Sequence, residues 1–174
     1  MRKTIILAGL AFALSASAAG PTDWQDLQFL VGDWTAEAGA GGVPGQASSG
    51  GFSFAPELGG KILVRKSRSE YPATKDHPAT VHEDLMILYR ETASTPVEAV
   101  FFDSEGHVIR YVLRVSPAHD RFEFVSGGET PGPRYRLTYA RIDENRASVS
   151  FDVAPPGSPD AFRTYVQGNV RRAH

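Results

Sequence analysis

His82-Glu83-Asp84 sets an imidazole and two carboxylates on consecutive positions. In an extended chain alternate residues share a face, so His82 and Asp84 lie together with Met86 and Leu88 beyond them. Glu83 joins Leu85, Ile87 and Tyr89 on the other face. A histidine beside a carboxylate can hydrogen-bond a polar ligand head or move a proton near neutral pH. The same pair at a solvated strand end does neither. Asp103-Ser104-Glu105-Gly106-His107 is the second polar group. Its side chains are metal-compatible, but the run lacks the length and charge density of a calcium loop and the clustering of a zinc site. The expectation is a polar hairpin turned by Gly106, with no metal.

Basic and aromatic side chains also recur at alternate positions. Arg110 and Arg114 oppose Ile109, Tyr111, Leu113 and Val115, while Arg134 and Arg136 oppose Tyr135, Leu137 and Tyr139. Arg65, Arg163 and Tyr165 occupy comparable places. An outward arginine is ordinary surface, whereas an inward one must meet a carboxylate. Either Arg136 points inward or the aromatic set does, and alternation alone leaves both open. The candidate ligand contacts are therefore His82, Asp84, His107, Tyr111, Arg136 and Tyr165. There is no cysteine, no G-x-S-x-G elbow and no HExxH, so nucleophilic catalysis has no recognisable machinery.

The elements that carry these residues read as strands. From Trp34 onward apolar residues recur with a period near two, in about ten short runs ending with Phe162–Val170. Turn-forming stretches separate them, including Pro72–Pro78, Ser104–Gly106 and Pro155–Pro159. Connectors this short leave no room for helical crossovers, so the strands meander antiparallel. The fold class is all-β, an up-and-down barrel of about ten strands; an open two-sheet sandwich is the alternative. Asp23–Val31 is the one helical candidate, a short turn ahead of the first strand. Gly39–Gly51 is rich in glycine and reads as a loop or weak strand start.

Residues 1–18 read as a cleavable secretory signal: Arg2 and Lys3, then the apolar run Ile5–Leu14, then Ala16-Ser17-Ala18. Residues 19–174 then form one domain, expected in the periplasm or outside the cell. Removing two basic residues leaves 16 basic against 20 acidic side chains. A dispersed, acidic balance disfavours nucleic acid and anionic membrane surfaces. No later segment has the length and hydropathy of a membrane-spanning helix.

Leu27-Gln28-Phe29-Leu30-Val31-Gly32-Asp33-Trp34 resembles the start of calycin barrels, where a helical turn precedes a Gly-x-Trp. That group includes lipocalins, fatty-acid-binding proteins and haem-binding nitrobindins. Val81–Leu85, Phe102–Ile109 and Arg134–Tyr139 resemble, more closely, exported bacterial lipocalin-like domains of unknown function. The resemblance implies a barrel with an internal cavity. It implies structural roles for Gly32 and Trp34, with Arg171 or Arg172 packed over the indole. In fatty-acid-binding relatives inward arginine and tyrosine hold a ligand carboxylate. Haem is disfavoured: the glycine pair of nitrobindins is replaced by Thr35-Ala36-Glu37, and the only late histidine is the terminal His174.

Three readings follow. The first is a binder of a small, largely apolar molecule with a polar or anionic head. The second is an isomerase- or cyclase-type enzyme using His82 with Glu83 or Asp84. The third is an envelope interaction protein whose lumen is filled by Phe52, Phe54, Phe101, Phe122 and Phe151. Which strand face points inward decides among the contacts, because a shift of one residue exchanges the faces.

Overall fold

A computed structural model describes residues 24–37, 49–127 and 132–173. Ten antiparallel strands close into a barrel in which every strand pairs with its neighbours in sequence and the last pairs with the first. They are β1 (Gly32–Ala36), β2 (Ser49–Glu57), β3 (Ile62–Tyr71), β4 (Thr80–Tyr89), β5 (Glu98–Asp103), β6 (Val108–Val115), β7 (Arg121–Ser126), β8 (Arg134–Arg141), β9 (Arg146–Ala154) and β10 (Arg163–Arg172). Closure leaves no unpaired sheet edge, the usual liability of a β protein. Residues 1–18, expected to be a secretory signal, and His174 lie outside the described residues, as does most of Gly39–Gly51. No helix among the described residues is long and apolar enough to cross a membrane.

The expected helix is shorter than its apolar pattern suggested. Only Gln25–Leu27 forms a 3-10 turn, and the preceding Trp24 makes no side-chain cap. Three residues cannot repay helix nucleation, so tertiary contacts hold the segment instead. Leu27 and Leu30 are fully buried, and the Trp24 indole N–H donates to the carbonyl of Gly60 at 2.9 Å. The segment thereby plugs one end of the barrel.

Gly32-x-Trp34 is the hinge of that plug. Gly32 has φ +110°, a conformation an L side chain rarely adopts, so the chain can turn from plug into strand. The buried Trp34 indole N–H donates to the Leu30 carbonyl at 2.9 Å. The Arg172 guanidinium lies 4.6 Å from the indole centroid and donates to the carbonyls of Phe29 and Val31. Arg172, in register with Trp34, is therefore the arginine over the tryptophan, while Arg171 alternates to the exposed face beside Thr35.

Burial and register together identify the inner face. Phe54 pairs with Arg65, Arg65 with Met86, and Met86 with Phe101, and all of these are buried. Across the barrel Tyr111, Phe122, Phe124, Leu137 and Tyr139 also point in. Their rings meet edge-to-face, with Phe52, Phe54 and Phe124 each 5.1–6.2 Å from Tyr139. Such contacts add about 0.5–1.5 kcal/mol beyond area burial. Towards the open end the inner face thins. Val149 and Phe151 are only half-buried, and a Cβ on inward Gly168 would meet nothing within 4 Å.

Candidate functional site

Arg65 lies in the middle of the lumen, 6% exposed, because β3 alternates Leu63 and Arg65 inward against Val64 and Lys66 outward. It pairs with Asp84 of β4, and the two side chains are 7% and 6% exposed. The guanidinium also lies 5.3 Å from the Phe52 ring centroid and 6.0 Å from that of Tyr139. Burial works against the charge, but Tyr139 and Asp84 outweigh it and raise the pKa of Arg65.

Two tyrosines complete this cluster. The hydroxyls of Tyr111 and Tyr139 and the Nε of Arg65 are buried without a hydrogen-bond partner among the described residues. The Tyr139 hydroxyl lies beside the Arg65 guanidinium, close enough for a weak polar contact that stabilises the charge but short of a well-formed hydrogen bond. A buried polar atom left without a partner costs about 1–3 kcal/mol, so three in one place call for a functional explanation. All three can donate. Together with the Arg65–Asp84 pair they form a donor-rich floor beneath the open half of the barrel.

Burial pushes the Tyr139 hydroxyl up to about 12 and that of Tyr111 in the same direction. Both therefore remain protonated donors throughout the neutral range. The linkage has a definite sign. Unfolded tyrosines ionise near pH 10. Below that pH both states keep their protons and the stabilisation is complete. Above it the unfolded chain loses protons that the folded chain retains, so stability falls as pH rises towards 12. Urea midpoints measured from pH 8 to 11.5 should fall steeply above pH 10. Absorbance at 295 nm should show two of the six tyrosines ionising only with unfolding.

Above the floor, β4 and the β5–β6 hairpin bring acidic and imidazole groups together. His82 and Asp84 both face inward, whereas Glu83 is outside, paired with Arg68 at 3.1 Å. The His82 Nδ1 lies 2.8 Å from a Glu105 oxygen, and its Nε2 is 3.6 Å from Asp84. Asp103 accepts the backbone N–H groups of Glu105 and His107 and contacts the His107 ring at 2.8 Å. Burial works against its charge, but these donors hold its carboxyl below the usual carboxylate range. The hairpin turns at Gly106, φ +89°, as expected, and Asp103 ties its backbone together. His107 is largely exposed on its outer side.

The remaining candidates fall elsewhere. Arg136 is on the outer face, where its Nε donates to the buried Asp152 at 3.0 Å and its guanidinium stacks 4.4 Å from the Phe162 centroid. Thr164 donates to the other Asp152 oxygen at 2.7 Å. Arg136 thus fastens the outer wall, and Tyr135, Leu137 and Tyr139 take the inner face. Tyr165 is 77% exposed at a bulge between Thr164 and Val166, its ring edge-on to Phe151. It stands at the rim. A separate hollow of about 180 Å³ lies at the plugged end, between Asp26, Arg90, Val97 and Val115, away from this cluster.

No known family model and no curated protein sequence matches the chain. The closed antiparallel barrel of ten strands is compatible with a calycin-like architecture.

Arg65 and Tyr139 were the residues that sequence reasoning left out of the candidate contacts. Their alternation was visible, but so was that of Arg136, and nothing local separates an inward arginine from an outward one. The discriminating signal is Asp84 on the diagonal from Arg65, opposite Ser67 and two residues before Met86, a placement fixed by the register of β3 and β4.

Proposed function

We propose that this chain is an exported, calycin-like barrel that binds a small, largely apolar molecule through an acceptor oxygen on its head. The observation that carries the reading is the set of buried, unpartnered donors on Tyr111, Tyr139 and Arg65. A carbonyl or carboxylate oxygen supplies what these groups lack. The half-buried inward side chains of Val149, Phe151 and Tyr135 offer an apolar wall for the rest of such a molecule. Asp84 already balances the charge of Arg65, so a neutral carbonyl head costs less to bury than a second anion. Closure of the other end by the plug leaves the His82 side as the route of access.

Native mass spectrometry of protein purified from its own host, and titration with a fluorescent fatty-acid analogue and its methyl ester, test the proposal. The expected result is a copurified or titratable ligand. Tyr111→Phe should weaken binding by about 2- to 10-fold, the worth of one hydrogen bond. The same variant should unfold no more easily than the parent, because it removes a hydroxyl that has no partner in the fold. A chain with no copurified mass and no affinity for either probe would favour a filled barrel that acts through its outer surface.

A further inference from the structure

We propose that the open mouth carries a divalent-cation site formed by His82, Asp103 and Glu105. One donor atom from each of the three lies within 4.8 Å of the others. Donors bound to one cation at about 2.0–2.2 Å sit roughly 3–4 Å apart, so only a small contraction closes the site. The sequence concealed this set because its nitrogen ligand comes from β4 while both carboxylates come from the end of β5 and its hairpin. Asp103, Glu105 and His107 are adjacent in the chain, but His107 takes the role of holding Asp103.

The surroundings of His82 support the assignment independently of the acidic residues in the triad. Behind the ring, on the Nε2 side, stands Asp84, itself fixed by Arg65 and 6% exposed. At 3.6 Å this carboxylate is an ion-pair neighbour of the ring, not a hydrogen-bond partner; it stands where second partners stand at metal centres and would attract an Nε2 proton once Nδ1 takes a cation. That leaves Nδ1 facing Glu105 and the solvent-open mouth. Asp103 is held by backbone N–H groups on one oxygen and by the His107 ring on the other, so its carboxylate is prepositioned. One imidazole with two carboxylates suits zinc, manganese or cobalt; calcium prefers an all-oxygen shell. Three protein ligands at a mouth open to water leave at least one coordination position for solvent or an incoming oxygen.

Calorimetric titration of chelator-treated full-length protein with Zn²⁺ at neutral pH tests the site without reference to any organic ligand. Co²⁺ absorption in the visible reports coordination directly. The expected result is one equivalent bound with a dissociation constant of about 10 µM or tighter. His82→Gln and Glu105→Gln should each weaken binding about tenfold or more. Glu105 is an exposed hairpin residue, so its variant should keep the parental thermal midpoint without metal and lose the upward shift on adding Zn²⁺. His119→Ala, at the plugged end beside Asp26, should change nothing. Absent binding, undiminished binding in Glu105→Gln, or loss of binding in His119→Ala would each overturn the assignment.

Discussion

Asp84→Asn should lower the unfolding free energy by about 3–5 kcal/mol, the usual cost of leaving a buried charge without its partner. The substitution keeps the shape and removes the charge. Arg65 would then be a lone guanidinium, 6% exposed, among Phe52, Tyr111 and Tyr139. It has no route to solvent comparable to that of a surface arginine, and the loss falls on the centre of the barrel. Urea unfolding at neutral pH, followed by tryptophan fluorescence, measures it. The companion variant makes the test sharper. Arg65→Met with Asp84→Leu removes both charges and should recover most of the loss, because buried ion pairs are often matched by apolar side chains of similar volume. Recovery in the double variant would show that the pair is kept for something other than stability, in line with a ligand-facing role. A cost below about 1 kcal/mol for Asp84→Asn would mean that the pair is hydrated and would remove the dry donor floor on which the binding proposal rests.

Trp34→Ala should cost a similar amount, about 3–5 kcal/mol, by a different route. The indole is 2% exposed and lies between Phe29, Phe52 and Arg172. Its removal opens a cavity and also frees the Leu30 carbonyl and the Arg172 guanidinium that hold the plug. Trp34→Phe keeps ring volume but loses the N–H donor and the stronger cation–π partner, so it should cost roughly 1–2 kcal/mol. Thermal unfolding ranks the two. Hydrogen exchange adds a local readout: amides of Leu27 and Leu30, which donate to Trp24 and Leu27, should lose protection before those of β5 and β6. Uniform loss of protection would instead mean that the plug and barrel unfold as one unit.

The two predictions concern opposite halves of one barrel, and they show how differently each half was written in the chain. By itself the sequence determined the number and approximate positions of the strands. Alternating residues such as Ile109, Tyr111, Leu113 and Val115, separated by proline- and glycine-rich turns, permit little else. Through its resemblance to the start of calycin barrels it also pointed to Gly32 and Trp34, but the positive φ and the buried ring that make the joint there were seen only in the structure. What it could not supply was the direction of each face. A strand with Tyr135, Leu137 and Tyr139 on one side and Arg134, Arg136 and Thr138 on the other is symmetric under exchange until closure assigns an interior. Only the tertiary structure put Arg65 inside and Arg136 outside, because each arginine follows its carboxylate: Asp84 across β3 and β4, Asp152 across β8 and β9. The same holds for His82 and Glu105, which meet because the β4–β5 register brings Asp84 opposite Asp103 and sets the hairpin over the mouth. Local alternation is a property of neighbours in the chain, whereas register and closure are long-range pairings, and the candidate site is built almost wholly from the latter.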